Sequence, residues 1–181
     1  MKILILADMN DFHWDHGTGN VDLVISCGDM YDDVILEAAE SYKALKVLAV
    51  KGNHDSEGDF PDPIIDLHLN IVRISGVTFG GFNGAWQYKN QGFYMYSQDE
   101  VKDLLGSFPP VDIFISHNSP RGVHDRDDGV HYGFEAFNDY IEKCKPKLFI
   151  HGHQHVNKET KIGDTKVIGV HGYKIFDRSQ I

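Results

Sequence analysis

The chain has 181 residues, 41% of them hydrophobic, enough to bury about two thirds of its unfolded surface in a single domain spanning 1–181. A formal net charge of -10 speaks against a broad nucleic-acid footprint, because such binding runs on Lys and Arg neutralising phosphates. Cys27 and Cys144 are too few for a disulfide framework and read as small buried apolar residues in a reducing compartment.

Lys2 to Ala7 (KILILA) is continuously apolar after its Lys, as a strand covered on both faces is, and it stops at Asp8. The run is too short for a signal segment or a membrane span, so a soluble, cytoplasmic protein without membrane partners is expected. Asn10 to Asn20 is polar, glycine-rich and aperiodic, hence loop. Val21 to Cys27 is a second apolar run, closed by Gly28-Asp29. Asp32 or Asp33 is the expected N-cap of a helix whose inner face is Val34, Ile35, Ala38, Ala39, Tyr42 and Leu45. That helix returns the chain to Val47–Val50 and the stretch Lys51-Gly52-Asn53-His54-Asp55, a βαβ unit with polar residues at the carboxyl ends of its strands.

Leu67 to Ile74 and Val77 to Phe82, around Ser75-Gly76, read as a hairpin of a second sheet. Gly80, Gly81 and Gly84 suit tight turns or close backbone approach, and the aromatic loop from Trp86 to Phe93 could wall a pocket. Ser97 and Glu100 form a capping box for a helix that stops at Gly106. Val111 to Ser116 is the next buried run, ending at His117, and a long polar loop carrying Arg121, His124 and His131 follows. Within that loop Asp125 to Asp128 reads as a solvated acidic turn. A helix from Gly133 to Cys144 leads to Leu148–Ile150, whose end is His151-Gly152-His153-Gln154-His155. Lys158 to Ile175 alternates into two antiparallel strands around Gly163-Asp164 that complete the second sheet, and His68 and His171 fall in predicted sheet with structural roles.

Strand ends thus collect Asp8, Asp29, Asn53 with His54, His117, and His153 with His155, in a chain with 11 histidines. Carboxylate, amide and imidazole donors together suit divalent ions such as manganese, iron, zinc or cobalt. The set exceeds one coordination sphere, and ion pairs roughly 3.5 to 4 Å apart serve in-line hydrolysis of phosphate esters. Two such ions against two ligand carboxylates leave roughly +2, enough to draw a phosphate to an acidic protein.

In order along the chain, Asp8-Met9-Asn10, Gly28-Asp29, Gly52-Asn53-His54-Asp55, His117 and Gly152-His153-Gln154-His155 resemble the DxH, GD, GNH, single-His and GHxH blocks of the calcineurin-like metallophosphoesterases. The resemblance implies an α/β fold, a four-layer α-β-β-α sandwich with two mixed β-sheets, holding two divalent ions. Manganese is the first choice, with iron, zinc, cobalt or nickel as alternatives. It implies that Asp29 bridges the ions, that Asp8 and His155 hold the first, and that Asn53, His117 and His153 hold the second. Water activated between them would attack phosphorus. His54, off the metals, would contact the phosphate beside Asn53 and protonate the leaving oxygen, with Asp55 in support. Arg121 is a further candidate for substrate contact.

Asn10 departs from the pattern, which has His there; it offers only an amide oxygen, and His13 or His16 could supply a replacement nitrogen. The expected function is a phosphodiesterase acting on a small phosphorylated or nucleotide-type substrate. Protein phosphatases of the same superfamily carry GDxVDRG where this chain has GDMYDD, and a nuclease conflicts with the charge. The competing class is a non-catalytic scaffold with the same fold, favoured by Asn10 and opposed by His54. Oligomeric state is left open by the sequence.

Overall fold

In β1 (Lys2–Ala7), Ile3, Ile5 and Ala7 enter one core cluster while Leu4 and Leu6 enter another. A strand buried on both faces has no need of polar alternation, which is why its sequence is continuously apolar. The structure is a computed structural model and describes residues 1–177. Beside β1 run β2 (Leu23–Ser26), β3 (Lys46–Ala49) and β4 (Ile64–Asp66), each parallel to its neighbour. The connection from β2 to β3 is α1 (Asp32–Ser41), which lays Val34, Ile35, Ala38 and Ala39 on the outer face of this sheet.

The second sheet contains β5 (Ile71–Ile74), β6 (Val77–Phe82), β9 (Ile113–Ser116), β10 (Leu148–His151), β11 (Lys158–Ile162) and β12 (Thr165–Gly169), in the order β11-β12-β10-β9-β6-β5. Between β6 and β9 lie the short pair β7 (Ala85–Trp86) and β8 (Met95–Tyr96) and the helix α2 (Gln98–Gly106). α2 and α3 (Glu135–Cys144) cover the outer face with Val101, Leu105, Phe137 and Tyr140. The inner faces of the two sheets share one core, in which Ile5 and Ile25 meet Phe79, Ile115 and Ile150. The result is the expected α-β-β-α layering with two mixed sheets, with few helices. Among the described residues no helix is long and apolar enough to cross a membrane.

The structure departs from the sequence reading at several elements. The N-cap of α1 is Tyr31, not Asp32 or Asp33; the two carboxylates lie in the first turn, where the helix dipole favours them. Because α1 ends at Ser41, Leu45 is off its inner face and 79% exposed. Gly106 is the last residue of α2 rather than the stop beyond it. The hairpin at Ser75-Gly76 forms with Ile74 opposite Val77, but its first strand begins at Ile71. Residues 64–66, too few to show a period, extend the first sheet instead.

After β11 and β12, the chain leaves the second sheet: β13 (Gly172–Asp177) pairs antiparallel with β1, taking Ile175 to the first sheet. Alternation reads the same whichever sheet a strand joins, so only the tertiary fold reveals that crossing. His68 lies in an isolated bridge with Gly81, accepts from Asn83 N at 3.0 Å and packs on Phe82, a structural role. A Cβ at Gly81 would lie 2.6 Å from Ile115 O, so close strand packing accounts for this glycine.

Candidate metal centre

The carboxyl ends of β1, β2, β3, β9 and β10 meet through backbone bonds. Gly152 N donates to His117 O at 3.0 Å, His153 N to Asp8 Oδ2 at 2.8 Å, and His54 N to Asp29 Oδ1 at 2.8 Å. Asp55 accepts from the N–H groups of Gly52, Asp29 and Met30 at 2.6, 3.0 and 3.0 Å, which locks the second strand end to the third. A Cβ at Gly52 would sit 2.0 Å from Asp29 Oδ1, so the glycine is required by the approach of that carboxylate. Asp8, Asp29, His153 and His155 have φ of 56°, 54°, 62° and 51°, a left-handed conformation that costs such residues on the order of 1–3 kcal/mol each and is typical of functional sites.

His117 is fully buried, and its Nδ1 lies 2.8 Å from the carbonyl of Cys27, so Nδ1 carries a proton. Its Nε2 then faces Asn53 Oδ1 at 3.1 Å and Asp29 Oδ2 at 3.4 Å. A ring nitrogen aimed at two oxygens calls for a cation between them, either a proton or a metal ion. Burial alone would lower the pKa of His117, but the carboxylates of Asp29 and Asp8 push it up to about 9. Asn53 Nδ2 donates to the Tyr88 hydroxyl at 3.2 Å, which turns its Oδ1 inward.

Asp8 is buried, and among the described residues its Oδ1 has no hydrogen-bond partner. Burial pushes its carboxyl up to about 7. Burial would raise Asp29 as well, but His117 beside it and the His54 N–H hold it well below the usual carboxylate range. Burial lowers His153 and His155, with His117 adding to the first effect and His171 to the second, and so keeps both rings neutral as metal ligation requires. An orphaned buried carboxylate oxygen, neutral imidazoles and an inward amide oxygen are a donor set that fits divalent cations. One donor atom each from Asp8, Asp29 and His117 lies within 4.8 Å of the others, and the same holds for Asp8, His155 and His171.

Asp8, Asp29, His153 and His155 open on a cleft of about 400 Å³ whose walls include Asn10, Tyr31, Lys51, His54 and His131, while Asn53 and His117 are buried off its lining. Asn10 and His54 are exposed there. His13 and His16 do not line the cleft: His13 bonds to Glu37 at 3.2 Å and His16 to Asp11 at 3.0 Å. Arg121 is not on the cleft wall either; it pairs with Asp125 and Asp127 and lies 3.7 Å from the Tyr132 ring centroid. The run from Asp125 to Asp128 is solvated at Arg126, Asp127 and Asp128, as expected, and is also tied into the loop: Asp125 accepts from Gly133 N and Asp128 holds His131 Nδ1 at 2.7 Å. That contact sets the His131 ring 5.0 Å from the His153 ring. From the aromatic stretch 86–93, Tyr88 reaches the centre, and Trp86 braces the loop after His117 through Tyr132. Of Tyr88 the sequence showed only its loop as a pocket wall, and His171, expected within a strand in a structural role, instead precedes β13 and lines the cleft, because neither sits at a strand end within a motif.

A profile of the calcineurin-like phosphoesterases matches residues 1–157. The chain belongs to the calcineurin-like phosphoesterase family. The family broadly implies hydrolase activity with divalent metals, and the donors above are this member's candidates to hold them. No curated protein matches the chain. Among solved structures it is similar to an archaeal phosphodiesterase, with 20% identity, a TM-score of 0.54 and coverage of 99% of this chain and 95% of the other. The phosphopantetheinyl hydrolase of Mycobacterium tuberculosis gives 11% identity, a TM-score of 0.59 and coverage of 93% and 89%. Vacuolar protein sorting 29 from Cryptosporidium parvum gives 13%, 0.51, and 93% and 72%. At these identities the likeness is one of fold.

Proposed function

We propose that this family member hydrolyses phosphodiesters of small, nucleotide-type molecules at a dinuclear metal centre, manganese being the first candidate ion. The observation that carries the reading is the pairing of an orphaned Asp8 Oδ1 with a His117 Nε2 aimed at two oxygens, both answered by cations. Asp8 and His155 would hold one ion, Asn53, His117 and His153 the other, with Asp29 between them. When bound, such ions supply positive charge for a phosphate and a water acidic enough to lose its proton near neutral pH.

The chain's own groups orient the rest. His54 is exposed on the cleft while its backbone is fixed to Asp29, which leaves the ring free to touch a phosphate oxygen and give a proton to the leaving group. Tyr88 holds the Asn53 amide in its ligating orientation, and Lys51 adds a cation to the cleft wall. A cleft of about 400 Å³ suits a small molecule better than a folded phosphoprotein. The names of two fold neighbours, a phosphodiesterase and a phosphopantetheinyl hydrolase, accord with phosphoester chemistry.

Asn10 favours a second reading, a scaffold without turnover. Metal analysis of the purified protein, followed by assay of bis-p-nitrophenyl phosphate and p-nitrophenyl phosphate, separates the two. Two ions per chain and faster cleavage of the diester are expected. Absence of bound metal and of turnover with manganese, cobalt, nickel and zinc alike would leave the scaffold.

A further inference from the structure

Asn10 leaves the Asp8 side of the centre short of a nitrogen donor, and the structure brings one from the far end of the chain. In the antiparallel register of β1 and β13, Ala7 faces Gly172, so one residue further along the pair His171 comes beside Asp8. The backbone of His171 is clamped from both sides by the Asn157 side chain, which accepts from its N–H at 3.1 Å and donates to its carbonyl at 3.0 Å. Its ring lies 4.9 Å from that of His155, and one nitrogen from each ring is within 4.8 Å of an Asp8 carboxylate oxygen. The Asp8 side chain is 2% exposed, its Oδ1 has no hydrogen-bond partner among the described residues, and His155 Nε2 lies 3.7 Å from that oxygen. A buried carboxylate oxygen and two solvent-facing imidazole nitrogens, mutually within 4.8 Å, match a transition-metal donor set. The histidines nearest Asn10 in sequence point elsewhere, His13 to Glu37 and His16 to Asp11.

We infer that His171 is a ligand of the ion held by Asp8 and His155, supplying from the residue before β13 the nitrogen that Asn10 does not offer. The inference rests on the phosphoesterase reading. It implies that the ion on this side remains a nitrogen-liking one, such as zinc or iron, and is not displaced by magnesium.

Metal-free wild type, His171→Ala, His13→Ala and the double variant Asn10→His/His171→Ala would be titrated with zinc and manganese by calorimetry. Wild type and His13→Ala should each bind two ions. His171→Ala should keep one ion at wild-type affinity and bind the other more than about 100-fold more weakly, beyond the 10–100-fold that loss of an outer supporting group costs. Asn10→His should restore that site in the double variant. Independently of any variant's folding, the imidazole ¹⁵N resonances of His171 in wild type should move on zinc saturation. Unchanged affinity for both ions in a folded His171→Ala, or unmoved His171 resonances, would overturn the inference alone. A wild type that binds no ion would overturn the phosphoesterase reading with it.

Discussion

At the scale of single residues, the centre trades stability of the metal-free protein for affinity. The Asp8 carboxyl is pushed by burial from 3.8 up to about 7, so the folded chain binds more protons than the unfolded one between those values. Stability without metal therefore falls as pH rises from about 4 to about 7 and stays low above it. Asp8→Asn should raise the unfolding free energy of chelated protein at pH 8 by on the order of a few kcal/mol, and should abolish binding at the Asp8 site. Urea denaturation with and without zinc checks both halves. His54 behaves otherwise, being exposed and, among the described residues, bonded to the centre through its backbone. His54→Ala should keep the metal content and lower kcat by roughly 10²–10⁴-fold, the usual contribution of a positioned acid. Equal loss of metal and turnover would make it a ligand. Asp8 and His54 were legible in the sequence because each ends an apolar run. Tyr88 and His171 were not, since their approach to Asn53 and Asp8 is set by tertiary packing with no local pattern.

At the scale of elements, local rules held where the chain satisfies its own backbone. The capping box of α2 is closed in both directions, Ser97 Oγ accepting from Glu100 N at 3.3 Å and Glu100 Oε2 accepting from Ser97 N at 2.7 Å. Ser97→Ala should cost about 1 kcal/mol in urea unfolding and leave metal content unchanged, because α2 lies on the outer face of the second sheet. α1 shows the limit of the same rule. With Asp32 and Asp33 both able to cap, the chain uses neither, and the Asp32 carboxylate instead lies 3.4 Å from Lys51 Nζ across the cleft wall. β4 escaped notice because three residues carry no period, and β13 was sent to the wrong sheet because alternation specifies a face and not a partner. β1, β2, β3, β9 and β10 were the clearest, each being a short apolar run followed by a candidate ligand.

At the scale of the whole molecule, a chain of net charge -10 must gather positive charge before it can hold a phosphate, and few basic residues reach the cleft. Inorganic phosphate should therefore bind to metal-loaded protein and not to chelated protein, as read by calorimetry. Ions that bind only the folded chain stabilise it by about 2.7 kcal/mol at a hundredfold excess over Kd. For a domain of this size that should raise the thermal midpoint by roughly 5–10 °C, reversed by chelator. The pairing of β1 with β13 carries one more consequence. Asp8 and its neighbour His171 stand 163 positions apart in the sequence, with Lys2 and Asp177 side by side. The first βαβ unit can form from nearby sequence, but Asp8 meets His171 only once β13 has docked on β1. Occupancy of that side by an ion thus reports that this long-range pairing has closed.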